Sequence, residues 1–249
     1  MERLAPRRAP LTWRVSTLAE KRPETQTATT LVLDVPDWPG HLAGQHVDVR
    51  LTAEDGYQAE RSYSIASAPQ DSHLSLTIER IEDGEVSPYL TDELRPGDQL
   101  ELRGPIGLYF TWDTGDGGPL LLLGGGSGLV PLMAMLRHRA AVTSAVAATV
   151  LVSARGWDDV LYRDELSFLD GDGVTVRYTL TRAQPPEWKG WSGRVNAEML
   201  RELGADRAGN VRVFICGPTG FVEHVADLLV QLGHDPHAIK TERFGPTGG

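Results

Sequence analysis

The sequence predicts two domains of different class: an N-terminal antiparallel six-stranded β-barrel over residues 11–112, and a C-terminal α/β domain on a parallel sheet over residues 118–249. Three observations predict this. Before residue 112, short apolar-alternating runs are separated by turn residues, with no long helical pattern. After residue 118, strand-like and helix-like runs alternate, the rhythm of repeated βα units. Between them stands Leu120–Met135, LLLLGGGSGLVPLMAM, where a strand apolar on both faces enters a glycine turn and then a helix.

In the barrel, alternation places strands at Leu11–Leu18, Thr29–Val35, His46–Leu51, Arg61–Ser67, Leu74–Ile81 and Gln99–Arg103. Pro36-Asp37-Trp38-Pro39-Gly40, Glu54-Asp55-Gly56 and Arg95-Pro96-Gly97-Asp98 supply the turn chemistry between them. Ser87-Pro88-Tyr89-Leu90 reads as an N-cap, a proline at the first helical position and a short helix. Asp113–Gly118, polar and glycine-rich, is the expected linker. Strand Leu120–Leu123 then leads to a helix over Leu129–Ala141, and strand Ala147–Ser153 to one over Asp159–Leu169. Val174–Thr181 precedes a long loop and the helix Asn196–Leu203. Val211–Cys216 leads to Gly220–Leu232, and Ala238–Arg243 closes the chain as a last strand.

Composition narrows the function. A net charge of −10 argues against nucleic acid as the main partner, although Arg3, Arg7, Arg8 and Arg14 could form a local basic patch. Cys216 is the sole cysteine, which excludes an internal disulfide and any cluster or zinc site held by several thiolates. No apolar run reaches the ~18 residues of a membrane helix, and the first residues lack a secretory apolar core, so no membrane association and a cytoplasmic location are expected.

The glycine turn departs from the G-x-G-x-x-G register, because Gly126-x-Gly128 is followed by Pro131 where a third glycine is usual. Proline is tolerated in a first helical turn, so the stretch suits a phosphate at a helix N-terminus, and equally a plain strand-to-helix turn. The second strand of this half ends in Ser153-Ala154-Arg155 with no carboxylate before Asp158. A hydroxyl and a guanidinium suit a ribose 2′-phosphate, which favours NADP over NAD; an ordinary solvated arginine would look the same. Arg163 and Arg182 are further candidates, and Arg163 could instead pair with a carboxylate along its helix. In the barrel, strand periodicity puts Arg61, Tyr63 and Ile65 on one face and Ser62 and Ser64 on the other. Gly84-Glu85-Val86-Ser87 offers a second candidate anion site at a helix start.

Taken together, Arg61-x-Tyr63-Ser64, Gly84-x-x-Ser87, Gly126-x-Gly128-x-x-Pro131, Cys216-Gly217-Pro218 and Glu242-x-Phe244 resemble, in order and over residues 11–245, the ferredoxin–NADP⁺ reductase family. The resemblance implies that the barrel binds FAD and the second domain NADP(H), with NAD(H) as the other option. Arg61 would contact the flavin diphosphate, with Gly84, Val86 and Ser87 completing that site. Tyr63 would pack on the isoalloxazine, Ser64 would lie near its N5, and Phe244 would shield it. Gly126, Ser127 and Gly128, with Pro131 behind them, would cradle the nicotinamide diphosphate. Cys216, followed by Gly217 and Pro218, would sit beside the nicotinamide, and Glu242 near hydride transfer.

The implied activity is an NAD(P)H-dependent flavoprotein reductase passing electrons to a separate acceptor such as a ferredoxin, a flavodoxin or an oxygenase component, since one cysteine cannot hold a fused cluster. A monomer is expected. The alternatives are a flavin reductase that uses free flavin as substrate, and a nucleotide-binding sensor that keeps the fold without turnover.

Overall fold

The computed structural model describes residues 11–53, 55–205 and 210–245. Arg3, Arg7, Arg8 and Glu54 therefore lie outside the described residues. Strands β1 (Trp13–Pro23), β2 (Ala28–Asp34), β3 (His46–Thr52), β4 (Gln58–Ser64), β5 (Leu74–Glu79) and β6 (Gln99–Ile106) form one antiparallel sheet in the order β4-β3-β6-β1-β2-β5. Register shifts at Leu18/Glu20 and His46/Asp48 bend the sheet. Its edges then meet: Ile65 bridges Leu76, and the Ala66 N–H donates to Ser75 O at 2.7 Å. Alternate residues of these strands, among them Leu18, Leu31, Leu33, Val47, Val49, Leu76, Ile78 and Leu102, fill the barrel, and Leu90 and Leu94 pack into the same core.

The parallel sheet contains β7 (Leu120–Gly125), β8 (Ala148–Ala154), β9 (Val174–Leu180), β10 (Trp191–Ser192), β11 (Arg212–Pro218) and β12 (Ile239–Phe244), ordered β10-β9-β8-β7-β11-β12. Helices α1 (Leu129–Ala141), α2 (Arg163–Leu169), α3 (Ala197–Glu202) and α4 (Thr219–Gln231) connect them. The four leucines of β7 divide between two cores: Leu120 and Leu122 join the one containing α1, Leu121 and Leu123 the one containing α3 and α4. Cores on both faces explain the unbroken apolar run. The α1 core also takes in Ala43, Ala66, Phe110 and Trp112 from the barrel. Helix α1 is thus covered by the sheet on one side and the barrel on another, which is why LVPLMAML shows no polar stripe.

Several expected boundaries move. Strand β4 begins at Gln58 rather than Arg61 and ends at Ser64, because the chain beyond crosses to close the barrel. Helix α2 begins at Arg163, not Asp159: Trp157–Asp159 is a 3₁₀ turn, and Tyr162 enters the helix in the left-handed conformation (φ 53°). Ser87 is not an N-cap; its hydroxyl accepts the Ile81 N–H at 3.0 Å, and the short helix Tyr89–Glu93 has no side-chain cap. The linker is a fastened turn, in which Asp113 and Asp116 cap one another's backbone and Trp112 donates to Gly117 O at 2.9 Å.

A polar relay ties the domains across their seam. The Tyr162 hydroxyl donates to Thr77, which leaves the Thr77 proton for Thr30 at 2.7 Å and the Thr30 proton for Glu24 at 2.6 Å. Beside it Arg137 donates to Ala66 O at 2.7 Å, grips Glu165 with two bonds at 2.6 and 2.8 Å, and lies 4.7 Å from the Tyr162 ring centroid. Burial disfavours the Arg137 charge, but the Glu165 carboxylate more than offsets it and holds the guanidinium protonated. Tyr162→Phe should lower stability by about 1 kcal/mol, and Arg137→Leu, which strands a carboxylate and a carbonyl, by about 2–3 kcal/mol. Urea unfolding checks this through the midpoint at unchanged slope.

Candidate active site at the domain junction

The connections from β7 run one way to β8 and β9, whereas β11 and β12 lie on its other side, so the carboxyl ends of β7 and β11 form the sheet's switch point. There the 3₁₀ turn Gly126–Gly128 leads into α1 without a side-chain cap, which leaves the first amide donors of the helix unclaimed by a capping side chain. Two glycines are required, for opposite reasons. A Cβ at Gly128 would overlap the Cys216 carbonyl and the Gly217 nitrogen, whereas Gly126 (φ 55°) would point a Cβ into open space. The turn therefore leans on β11 with one glycine and leaves open space beside the other. Pro131 is buried in the first turn of α1, and the Ser127 hydroxyl crosses the seam to Glu79 Oε2 at 2.7 Å.

Ser64, Cys216 and Glu242 converge at this junction. Cys216 sits between Gly124 of β7 and Glu242 of β12 in the parallel register. Ser64 pairs with His46 across β4 and β3, and His46 Nδ1 lies 3.6 Å from Glu242 Oε1. The other carboxyl oxygen, Glu242 Oε2, is buried and has no hydrogen-bond partner. Burial pushes the Glu242 pKa up to about 7. Burial, and then the neighbouring Glu242 charge, push the Cys216 thiol well above its ordinary value. The thiol is therefore protonated and poorly suited to act as a nucleophile. No hydrogen bond engages the Ser64 hydroxyl among the described residues.

At the barrel rim Arg61 donates to Glu85 Oε2 at 3.0 Å and to Glu60 O at 2.7 Å, and the Tyr57 hydroxyl donates to Glu85 Oε1 at 2.7 Å. Both partners of the Arg61–Glu85 pair are about half exposed (54% and 48%), so it exchanges readily with solvent or another anion. Tyr63 packs on the barrel core, where burial raises its pKa to about 12. A Cβ at Gly84 would meet Ser87 Oγ at 2.9 Å and Ile81 O at 3.0 Å, and Val86 is buried beneath.

At the end of β8, Ser153 is buried, and the Arg155 carbonyl accepts the N–H groups of Arg182 and Ala183, which sets two arginine backbones side by side. Neither the Arg155 nor the Arg182 side chain is hydrogen-bonded among the described residues. Arg163 lies 3.7 Å from the exposed Asp158 and over the Trp157 ring, a solvent-exposed pairing no firmer than Arg61–Glu85. Gly217 and Pro218 end β11, and Phe244, 37% exposed, pairs with Pro218 at the end of β12. His46 and Glu79 did not stand out in the sequence. His46 could have been found from the hairpin register opposite Ser64, but Glu79 carries no local signal.

Residues 17–111 match the oxidoreductase FAD-binding domain family, and residues 122–227 match the oxidoreductase NAD-binding domain family. Ferredoxin–NADP reductase B of Sorangium cellulosum is 39% identical over 81% of this chain and 84% of its own length. The chain belongs to the ferredoxin–NADP⁺ reductase family. The glycine betaine monooxygenase reductase subunit of Pseudomonas aeruginosa is 34% identical over 82% of the chain, which spans 56% of that protein. The FAD/NAD-binding domain of a nitric oxide dioxygenase from Vibrio cholerae superposes with a TM-score of 0.82 at 25% identity, covering 94% of this chain and 99% of that one.

The reductase is thus an oxidoreductase with an FAD-binding and a nicotinamide-nucleotide-binding domain. Its residues fit both groups: a bare-backbone turn at a helix N-terminus suits a diphosphate, and an exchangeable arginine beside Gly84 suits a second one. Among the described residues no helix is long and apolar enough to cross a membrane.

The raised Glu242 pKa means that folding favours its protonated form. Its stabilising contribution is complete below the ordinary carboxylate range and is lost as pH rises toward about 7. Glu242→Gln should therefore gain on the wild type by up to about 3 kcal/mol between acidic and neutral pH, read from urea midpoints across that range.

Proposed function

We propose that this reductase takes electrons from NADPH through FAD to a separate redox protein, a ferredoxin, a flavodoxin or an oxygenase component. The observation that carries the reading is the meeting of Ser64, Cys216 and Glu242 where the barrel joins the sheet's switch point. Flavin and nicotinamide supply the redox chemistry when bound, and the protein's task is to stack them closely in a dry junction. Arg61 binds the flavin diphosphate by exchanging Glu85 for it, and Gly84, Val86 and Ser87 shape the same loop. Tyr63 and Phe244 bracket the flavin ring, and Ser64 offers it a hydroxyl. Gly126, Ser127 and Gly128 hold the nucleotide diphosphate on backbone donors, with Pro131 setting the helix behind them. Cys216, followed by Gly217 and Pro218, leaves room for the nicotinamide, and Glu242 holds a proton beside it.

The preference for NADPH rests on Ser153, Arg155 and Arg182, whose hydroxyl and unpaired guanidinium groups suit a 2′-phosphate. Arg163, which stands over the Trp157 ring near exposed acids, plays a smaller part. The names of the Sorangium and Pseudomonas relatives support an acceptor that is a separate protein. One observation favours a second reading, a reductase of free flavin: Glu85 competes for Arg61 and would loosen the diphosphate. A protein that purifies yellow and bleaches with NADPH supports the first reading; a colourless protein that reduces added flavin supports the second.

Arg155→Ala combined with Arg182→Ala should lower kcat/KM for NADPH at least about tenfold and leave NADH nearly unchanged, measured by stopped-flow flavin bleaching. With an acidic acceptor and a reductase of net charge −10, docking needs a local basic face, for which Arg14 and the N-terminal arginines are the candidates. Turnover with a ferredoxin should then fall as salt rises, and a salt-independent rate would point to an acceptor of different charge.

A further inference from the structure

We infer that Trp188 is a positioning residue for the nucleotide site, its indole locking the loop between β9 and β10 so that Arg155 and Arg182 stand side by side before a 2′-phosphate arrives. The identity of the ligand rests on the proposed role of Ser153, Arg155 and Arg182, whereas the locking itself does not. The loop from Thr181 to Gly190 is exposed along most of its length. A free loop of this kind would be mobile, and arginines carried on it would lose binding energy to the entropy of ordering them. Here the loop is fastened at both ends.

At its start the Thr181 N–H and hydroxyl both donate to Ala154 O, at 2.9 and 3.1 Å, and the Arg182 and Ala183 N–H groups donate to Arg155 O at 2.8 and 3.0 Å. At the far end Trp188 folds back on its own loop. Its N–H donates to Pro185 O at 3.0 Å and its Nε1–H to Trp191 O at 3.0 Å, and Gly190 lies so close that a Cβ there would overlap the indole. The same ring packs on Trp157 with centroids 5.3 Å apart and planes tilted by 51°. Trp157 in turn meets Tyr178 of β9 edge-on at 5.2 Å. The segments carrying Arg155 and Arg182 are therefore joined twice, by backbone hydrogen bonds at the arginines and by stacked indoles beyond them.

Adjacent guanidinium groups repel one another, so the loop's own fastening has to keep them together until a dianionic phosphate takes both. A nucleotide lacking that phosphate gains nothing from the arrangement, which makes the locking a matter of specificity. Trp188 also covers the edge of the α1 core, and a cover alone would serve both nucleotides equally. Trp157 is the less selective probe of the two indoles, because Arg163 stands 5.5 Å over its ring as well.

Calorimetry on the FAD-loaded protein gives Kd for NADP⁺ and NAD⁺, and hydrogen exchange at the Arg182 and Ala183 amides reads the locking without any nucleotide. Trp188→Ala should weaken NADP⁺ binding at least about tenfold and NAD⁺ binding by no more than about twofold, and should speed exchange at both amides at least about tenfold. Trp188→Phe, which keeps a ring against Trp157, should recover most of the NADP⁺ affinity. Gly190→Ala, which displaces the indole without removing it, should reproduce the Trp188→Ala pattern. A preference for NADP⁺ that survives intact in Trp188→Ala and Gly190→Ala would overturn the proposal, as would an equal loss for both nucleotides, the mark of a plain cover. Amides equally protected in the wild type and Trp188→Ala would overturn the locking itself. A wild type with no preference for NADP⁺ would instead overturn the 2′-phosphate reading, so the two failures are told apart.

Discussion

The site depends on one backbone contact. The turn Gly126–Gly128 rests so closely on the end of β11 that only hydrogen fits at Gly128, because any side chain would enter the Cys216 carbonyl. That contact joins two neighbouring strands of the sheet at their carboxyl ends, where β7 turns into α1 and β11 turns into α4. It orients the helix N-terminus, and it also fixes Cys216, because the atom the turn leans on is that residue's own carbonyl. Glu242 follows in register beside Cys216. A phosphate cradle and the reacting wall are therefore set by the same packing.

The second constraint is the burial of α1. A helix covered by sheet and barrel together gives up the polar face that would let it stand alone, so the α1 side of the α/β domain is completed by barrel residues, while the barrel interior is filled by its own strands. This separates the reductase from the usual picture of loosely tethered domains. The seam is then sealed with polar contacts of high directionality: Tyr162 to Thr77, Arg137 to Ala66, Ser127 to Glu79. Each orients one domain against the other, and Ser127 belongs to the phosphate turn itself. The relative placement of the proposed flavin and nicotinamide sites thus depends on these side chains at the seam.

These two constraints explain how much was legible in the sequence. Periodicity and turn chemistry are local, so the six barrel strands and the βα alternation could be read directly, with errors of a few residues at the ends. The largest errors came where tertiary contacts override local signals. Ser87 looks like a cap, but the Ile81 N–H claims its hydroxyl. Asp159 looks like a helix start, but Tyr162 takes a left-handed conformation to reach Thr77. Site residues on strand ends beside glycines were legible because glycine spacing marks close approach. Glu79 was not, since a glutamate on a short strand carries no pattern until its partner across the seam is known, and His46 shows only through its hairpin register opposite Ser64.

Charge is distributed across the junction in a way that composition could not reveal. The chain as a whole carries −10, yet the arginines proposed to read phosphates, Arg61, Arg155 and Arg182, stand at the rims. The centre holds a hydroxyl, a thiol kept protonated by burial, and a carboxyl that burial holds near neutrality. A fixed anion there would repel an approaching electron-rich ring, and a fixed cation would trap a phosphate in the wrong place. Polar groups that are uncharged or, for Glu242, only partly ionised near neutral pH lessen both, at the cost of one buried oxygen without a partner. An unpartnered oxygen of this kind is destabilising by about 1–3 kcal/mol, and its retention beside Cys216 is explained more readily by chemistry at the junction than by stability.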